Sequence, residues 1–164
     1  MYLAPHPKRS AKNSAMKLNF GSPEYGWMQI QLNEHKLNVS DVPCDSLSLL
    51  MVALTHLVNG SQSESVEWSL EPEYATWILE RDAGNLVISS RIGSQPSTIV
   101  GRCSLEVGLS NMIGALDLLA KAPCWKDDEE DLRIWSWPFP FIELKRLQKR
   151  WAEQVSSGNP LPAE

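Results

Sequence analysis

Alternating polar and apolar residues in the first part of the chain predict β-strands. The alternation covers residues 18–20 and 25–32, where every second side chain is apolar and would point to one face. Turn-forming residues at 21–24 and 33–35 separate these segments from a third short strand at 36–39. The pattern therefore predicts an antiparallel meander of three strands.

A helical spacing of apolar residues follows, and it predicts the central helix of the core. Asp45 or Ser46 can accept hydrogen bonds at the start of this helix, and Gly60 ends it. The apolar positions at helical spacing are Leu47, Leu50, Met51, Leu54 and Leu57 or Val58. Because Leu49, Val52 and Ala53 lie off this stripe, the apolar surface is broad, and we expect burial on more than one side of the helix.

Four further strands are predicted in the middle of the chain. They lie at 65–70, 74–81, 85–91 and 98–105. Short segments that contain Gly, Pro, Asp or Glu divide them, at 71–73, 82–84 and 93–96. Connections this short join antiparallel neighbours, because a parallel crossover needs roughly a dozen residues or more.

Two more amphipathic helices are predicted, at 106–121 and 140–154. The apolar face of the first consists of Leu109, Met112, Ile113, Leu116, Leu119 and Ala120. The second has Pro140 at the favoured first helical position, and its inward face consists of Phe141, Leu144, Leu147 and Trp151.

These elements predict one α+β domain over residues 16–155. About three helices pack on an antiparallel sheet of about five to seven strands, in the order β-β-β-α-β-β-β-β-α-α. A length of 164 residues, with 43% hydrophobic and 21% charged residues, is typical of a single globular core. Residues 1–15 read as a disordered basic tail and residues 156–164 as a frayed one.

The charge of the chain favours a basic partner over nucleic acid. The formal net charge is −5, and residues 1–15 contain three basic residues and no acid. The remaining 12 basic and 20 acidic residues therefore leave residues 16–164 at −8. An acidic body repels a phosphate backbone and attracts a basic protein, although plain solubility also explains the charge.

Cysteine usage and hydropathy predict a cytoplasmic protein that does not cross a membrane. Cys44, Cys103 and Cys124 are odd in number and widely spaced, which fits neither a disulfide framework nor a zinc site. The sequence has no apolar run of signal-peptide length at its start and no membrane-spanning stretch of roughly 18 residues.

The sequence carries no catalytic, metal or cofactor motif. His35, His56 and Cys44 are the available base or nucleophile components, and Asp41 or Asp45 would have to orient them for a hydrolase. Their spacing does not require such an arrangement. No glycine-rich phosphate loop is present either.

Two features near the C-terminus are candidate partner contacts. Trp135 and Trp137, of the seven tryptophans, lie in a segment rich in aromatic residues and proline, which either closes the core or binds a partner. The second feature is the acidic run Asp127, Asp128, Glu129, Glu130 and Asp131. The run lacks the spacing of an EF-hand, so it is read as a solvated loop or an electrostatic contact.

Several short motifs resemble those of a group of small bacterial cytoplasmic proteins with no assigned function. The motifs lie at 25–27, 40–47, 71–74, 77–81 and 138–140, and the resemblance covers residues 16–151. A looser resemblance is to the small acidic immunity proteins encoded beside secreted bacterial toxins. The resemblance implies no catalytic residues.

The leading functional hypothesis is a non-catalytic binding protein, in the form of an immunity protein that neutralises a basic toxin. A small hydrolase with His35 or His56 as its base is the first alternative. A structural homo-oligomer, with the aromatic segment at a two-fold interface, is the second.

Overall fold

Seven strands form one antiparallel sheet in which every strand lies beside its neighbour in sequence. The computed structural model describes residues 16–125 and 135–158. The strands are β1 Leu18–Phe20, β2 Trp27–Leu32, β3 His35–Ser40, β4 Ser63–Ser69, β5 Tyr74–Asp82, β6 Asn85–Ile92 and β7 Thr98–Ser104. The helices are α1 Ser46–Val58, α2 Leu105–Ala120 and α3 Phe141–Ser156, and a single 3-10 turn covers Pro123–Trp125. The α+β class and the predicted order of elements are confirmed.

The structure shows a predicted hairpin turn and side-chain caps at the starts of two helices. Ala83 and Gly84, both at positive φ, join β5 to β6 in a two-residue hairpin. At the start of α1 the side chain of Asp45 accepts a hydrogen bond from the Ser48 amide, and Ser104 does the same for the Val107 amide of α2. Periodicity and capping therefore located these elements to within a few residues.

The sheet consists of two meanders that meet at one residue pair. Strands β1–β3 and strands β4–β7 are each continuously paired, but β3 and β4 pair only through Ser40 and Ser69. The chain leaves the sheet after Ser40 to form α1, and the Ser46 hydroxyl then donates to the Glu67 carbonyl on the free edge of β4. The start of α1 thus takes the place of a strand neighbour for β4.

The sheet curls enough for its two ends to contact the same helix. Helix α2 contacts β1 at one end of the sheet and β6 and β7 at the other. The Asn33 side chain links the same two ends, because it accepts from the Lys17 amide at 3.0 Å and donates to the Val100 carbonyl at 3.0 Å. Val100 is the extra residue of a β-bulge in β7.

The three helices lie on the inner side of this curled sheet, where α1 and α2 pack against its strands and α3 packs on α1 and α2. Helix α1 packs against β4 and α3, and α2 packs between the sheet ends and α3. The prediction that α1 is buried on more than one side is wrong for two residues: Leu49 and Val52 are 45% and 43% exposed, whereas Ala53 is buried. The reason is that the sheet and α3 cover one broad side of α1 and leave the opposite stripe in solvent.

Helix α3 differs from its prediction at its first turn. Pro140 is the residue before the helix rather than its first residue. Phe141 is 43% exposed and packs against Phe139 with the two rings tilted and 4.8 Å between their centroids, so its predicted inward orientation is wrong. Leu144 and Leu147 are buried as predicted. The predicted tail at 1–15 and residues 159–164 of the predicted tail at 156–164 lie outside the described residues, and α3 extends to Ser156.

Within the part of the chain that the structure describes, no helix combines the length and the apolar character needed to cross a membrane.

Candidate functional site

The Trp-rich segment is attached to the rest of the protein through Asp41. The Ser136 amide donates to Oδ2 of Asp41 at 2.5 Å, and the Trp137 indole Nε1 donates to the Asp41 carbonyl at 2.6 Å. Trp135 and Trp137 are both half-buried and Ser136 between them is exposed. The two tryptophans therefore alternate in exposure with Ser136, and Trp135 packs against the core.

Asp41 itself is 6% exposed, which is unusual for a carboxylate. Its amide donates to the Gly26 carbonyl, and a Cβ on Gly26 would lie 3.0 Å from Oδ1 of Asp41. Gly26 also has a φ of +80°, so glycine is required both by its backbone and by the approaching carboxylate. The turn before β2, the end of β3 and the Trp-rich segment meet at this carboxylate.

An aromatic row continues from this segment toward α2. Trp125 and Phe139 lie 5.1 Å apart between ring centroids, and the Trp125 indole donates to the Leu119 carbonyl at 2.8 Å. Phe139 is buried, and Trp125 and Trp151 pack against the core. These contacts give the aromatic residues a structural role. The predicted partner contact through Trp135 and Trp137 stays a prediction, and the predicted contacts Asp127–Asp131 lie outside the described residues.

The histidine nearest to a catalytic arrangement is His56. Its Nδ1 lies 3.1 Å from Oε1 of Glu64, and the Ser61 hydroxyl donates to the same oxygen at 2.7 Å. A hydrolase needs the serine on the imidazole rather than on the orienting carboxylate. In addition, the His56 side chain is 53% exposed. The three residues therefore form a polar connection between the end of α1 and β4.

The other predicted nucleophile and base lie apart from His56. His35 lines a surface groove of about 660 Å³ together with Lys17 and Asn33, and burial lowers the pKa of its imidazole. Cys44 is half-buried, with its Sγ 3.5 Å from the Ser46 hydroxyl. Among residues 16–125 and 135–158, no group of three or more His, Cys, Asp or Glu side chains is arranged to hold a metal ion.

Among the described residues, the acidic charge is concentrated on one hairpin. Between Ser63 and Asp82, which bound β4 and β5, six residues are acidic and only Arg81 is basic. The formal charge of this hairpin is therefore −5, equal to that of the whole chain. Counting charge by element would have found this concentration in the sequence, whereas the total charge alone did not.

The position of these acids on the sheet defines a surface that we call the acidic face. Val66, Trp68, Trp77 and Leu79 point to the helices, so the alternate residues of both strands point away from them. These outward residues are Ser65, Glu67, Thr76, Ile78 and Glu80, and the exposed turn adds Glu71 and Glu73. The exposure of Glu67, Glu71, Glu73 and Glu80 shows that no described helix covers these carboxylates.

Four carboxylates of the acidic face are exposed, and the described residues provide none of them with an ion pair: Glu67, Glu71, Glu73 and Glu80. The other two acids of the hairpin are used within the protein. Glu64 binds His56, and Asp82 binds Arg102 at 2.5 Å. The four remaining carboxylates are available to positively charged groups of another molecule.

No protein-family model, curated protein or solved structure matches this chain. The resemblances described from the sequence are therefore untested, and the function is inferred from the chain's own residues.

Proposed function

We propose that this protein is a non-catalytic binding protein for a basic protein partner, and that the acidic face of the β4–β5 hairpin is the contact surface. The observation that carries the proposal is the concentration of a charge of −5 on one hairpin, with four carboxylates that have no ion pair among the described residues. Opposite charges on two proteins raise the rate at which they associate and disfavour partners of like charge.

The centre of the acidic face supports the same proposal. Thr76 and Ile78 lie between the carboxylates, and Ile78 is half-buried. Protein interfaces combine a less polar centre with a charged rim, which this arrangement provides. Trp137, which is half-buried, is a second proposed contact, and the acidic run at 127–131 would add charge of the same sign.

The biological form that we propose is an immunity protein that neutralises a basic bacterial toxin. An inhibitor of this kind needs a contact surface and no catalytic centre. The acidic face meets that requirement without help from His35, His56 or Cys44. The homo-oligomer alternative predicts a mass that rises with protein concentration, which light scattering measures directly.

The test begins with purification of the tagged full-length protein from its native host at low salt. The expected result is a co-purifying protein of net positive charge that dissociates as salt is added. Products of neighbouring genes are then expressed singly in a host that lacks them. The proposal predicts that one of them inhibits growth and that co-expression of this protein restores it.

A matched pair of variants separates the acidic face from total charge. The first variant replaces three acids of the face, in Glu67→Gln, Glu73→Gln and Glu80→Gln. The control replaces three exposed acids elsewhere, in Glu24→Gln, Glu34→Gln and Glu106→Gln. We expect the first variant to lose the partner and the control to retain it. Equal loss in both variants, or no basic partner and no rescue with the unmodified protein, contradicts the proposal.

A further inference from the structure

Of the buried side-chain polar atoms that have no hydrogen-bond partner among the described residues, three belong to residues that are at most 5% exposed. They are Nε1 of Trp68, Nε1 of Trp77 and the Ser90 hydroxyl. Trp68 and Trp77 are completely buried and Ser90 is 5% exposed. Buried polar groups in folded proteins almost always have a partner, either in the protein or in ordered water. Three exceptions in one protein core therefore require an explanation.

The three atoms belong to one small region of the sheet. Trp77 on β5 lies directly opposite Ser90 on β6, and their burial shows that both point toward the helices. Trp68 on β4 lies opposite Ala75, and its ring centroid is 5.3 Å from that of Trp77 at an interplanar angle of 66°. Three neighbouring strands thus contribute one unpartnered polar atom each.

The local geometry suits a small bridging molecule. Directly opposed side chains on antiparallel strands have Cβ atoms about 5 Å apart, yet Trp77 and Ser90 do not hydrogen-bond to each other. A water molecule can bridge two neighbouring polar groups that do not hydrogen-bond directly. Ala75 and Ser90 are also small, and they lie beside the two large indoles on the same face.

We propose that Trp68, Trp77 and Ser90 form an internal site for a bound water molecule. The water oxygen accepts the two indole N–H groups, and one water O–H donates to the Ser90 hydroxyl. Three polar partners are the usual number for a buried water. A neutral ligand fits because the three residues that form the site are uncharged and buried, and an unpaired ion would be costly to bury there. The site does not depend on the proposed function.

The competing arrangement needs no water. In a tilted pair of indoles, the N–H of one ring can point at the face of the other. That arrangement would use at most one of the two N–H groups and would leave the Ser90 hydroxyl without a partner. The two arrangements therefore predict different neighbours for the indole protons.

The test is nuclear magnetic resonance on the uniformly ¹⁵N-labelled full-length protein. The substitutions Trp68→Phe and Trp77→Phe assign the two indole N–H signals. We expect both protons to show a nuclear Overhauser contact with water, of the sign that belongs to a long-lived water molecule. Absence of that contact for both protons in the unmodified protein, while other buried polar groups show theirs, overturns the proposal.

Two further variants test the role of Ser90. Ser90→Val fills the space of the hydroxyl with methyl groups, and we expect it to remove the water contacts of both indole protons. The control is Ser89→Val, which changes the neighbouring residue on the opposite face of β6 and should leave the contacts unchanged. Contacts that persist in a folded Ser90→Val protein contradict the site. If that variant does not fold, the water contacts measured in the unmodified protein decide between the two arrangements.

Discussion

The Ser136 amide donates a hydrogen bond to Oδ2 of Asp41 across 2.5 Å, although the two residues are 95 positions apart in sequence. This contact joins the end of the first meander to the segment that enters α3. It also explains why a carboxylate is buried at this point, because Oδ2 of Asp41 accepts a hydrogen bond from a backbone N–H in place of water.

Replacement of Asp41 tests the strength of this connection. Asp41→Ala leaves the Ser136 amide without its acceptor, and we expect a loss of about 1.5–3 kcal/mol in the free energy of unfolding. Hydrogen exchange should increase most at the start of α3. Glu24→Ala, at an exposed residue near the same turn, is the control and should change stability little. An Asp41→Ala protein as stable as the control would show that the contact is not needed.

We expect the same substitution, glycine to alanine, to have opposite effects on stability at two positions of α2. A Cβ on Gly108 would lie 2.8 Å from Cδ2 of Leu86 and 3.0 Å from Sγ of Cys103, whereas a Cβ on Gly114 meets nothing within 4 Å. We expect Gly108→Ala to destabilise the protein by about 1–3 kcal/mol, because α2 must move away from the sheet. Gly114→Ala should stabilise it by about 0.5–1 kcal/mol through helix propensity. Urea unfolding of both variants measures the difference, and a gain in stability for Gly108→Ala would contradict the close approach.

The three thiols should differ in reactivity. Burial raises the pKa of the Cys103 thiol, so little reactive thiolate forms at that position, and the residue is also inaccessible. Cys44 and Cys124 are half-buried. We expect alkylation of Cys103 in the folded protein to be at least about tenfold slower than in the unfolded chain. Mass spectrometry of the alkylated peptides measures each rate, and equal rates at all three cysteines would contradict the structure.

Stability should fall in mild acid because of His35. Burial lowers the pKa of its imidazole below the ordinary value of 6.5. The unfolded chain therefore takes up the proton first, and stability decreases as the pH falls from 6.5 toward the pKa of the folded state. His35→Gln has no proton to take up and should show a smaller decrease over this window. Urea unfolding above and below the window measures the two slopes, and equal slopes would exclude a contribution from His35.

The order of elements was predictable because its signals are local. Hairpins such as Ala83–Gly84 and caps such as Asp45 involve residues a few positions apart, so they are visible in the sequence. The curl of the sheet was not predictable, since it involves Asn33 and Val100, which are 67 positions apart. The single residue pair between β3 and β4 was not predictable either. Residue patterns indicate where a strand lies, but the point at which β3 and β4 separate depends on the packing of α1, which is a contact between distant elements.

The proposed contact surface was partly visible in the sequence. The acids of the β4–β5 hairpin are ordinary strand and turn residues, and alternation alone assigns Glu67 and Glu80 to the face opposite Trp68 and Trp77. The sequence did not reveal that Glu64 and Asp82 are used internally by His56 and Arg102, because those contacts bring together separate elements. The sequence also did not show that Asp41 would accept hydrogen bonds from Ser136 and Trp137 of the Trp-rich segment.

The most direct test of the proposed function is the dissociation constant of the complex with the co-purified basic partner, measured at several salt concentrations. The proposal predicts tight binding at low salt that weakens steeply as salt increases. It also predicts that the Glu67→Gln, Glu73→Gln and Glu80→Gln variant binds weakly at every salt concentration, while the matched control behaves like the unmodified protein. Binding that is insensitive to salt and unchanged in this variant would contradict the assignment of the acidic face.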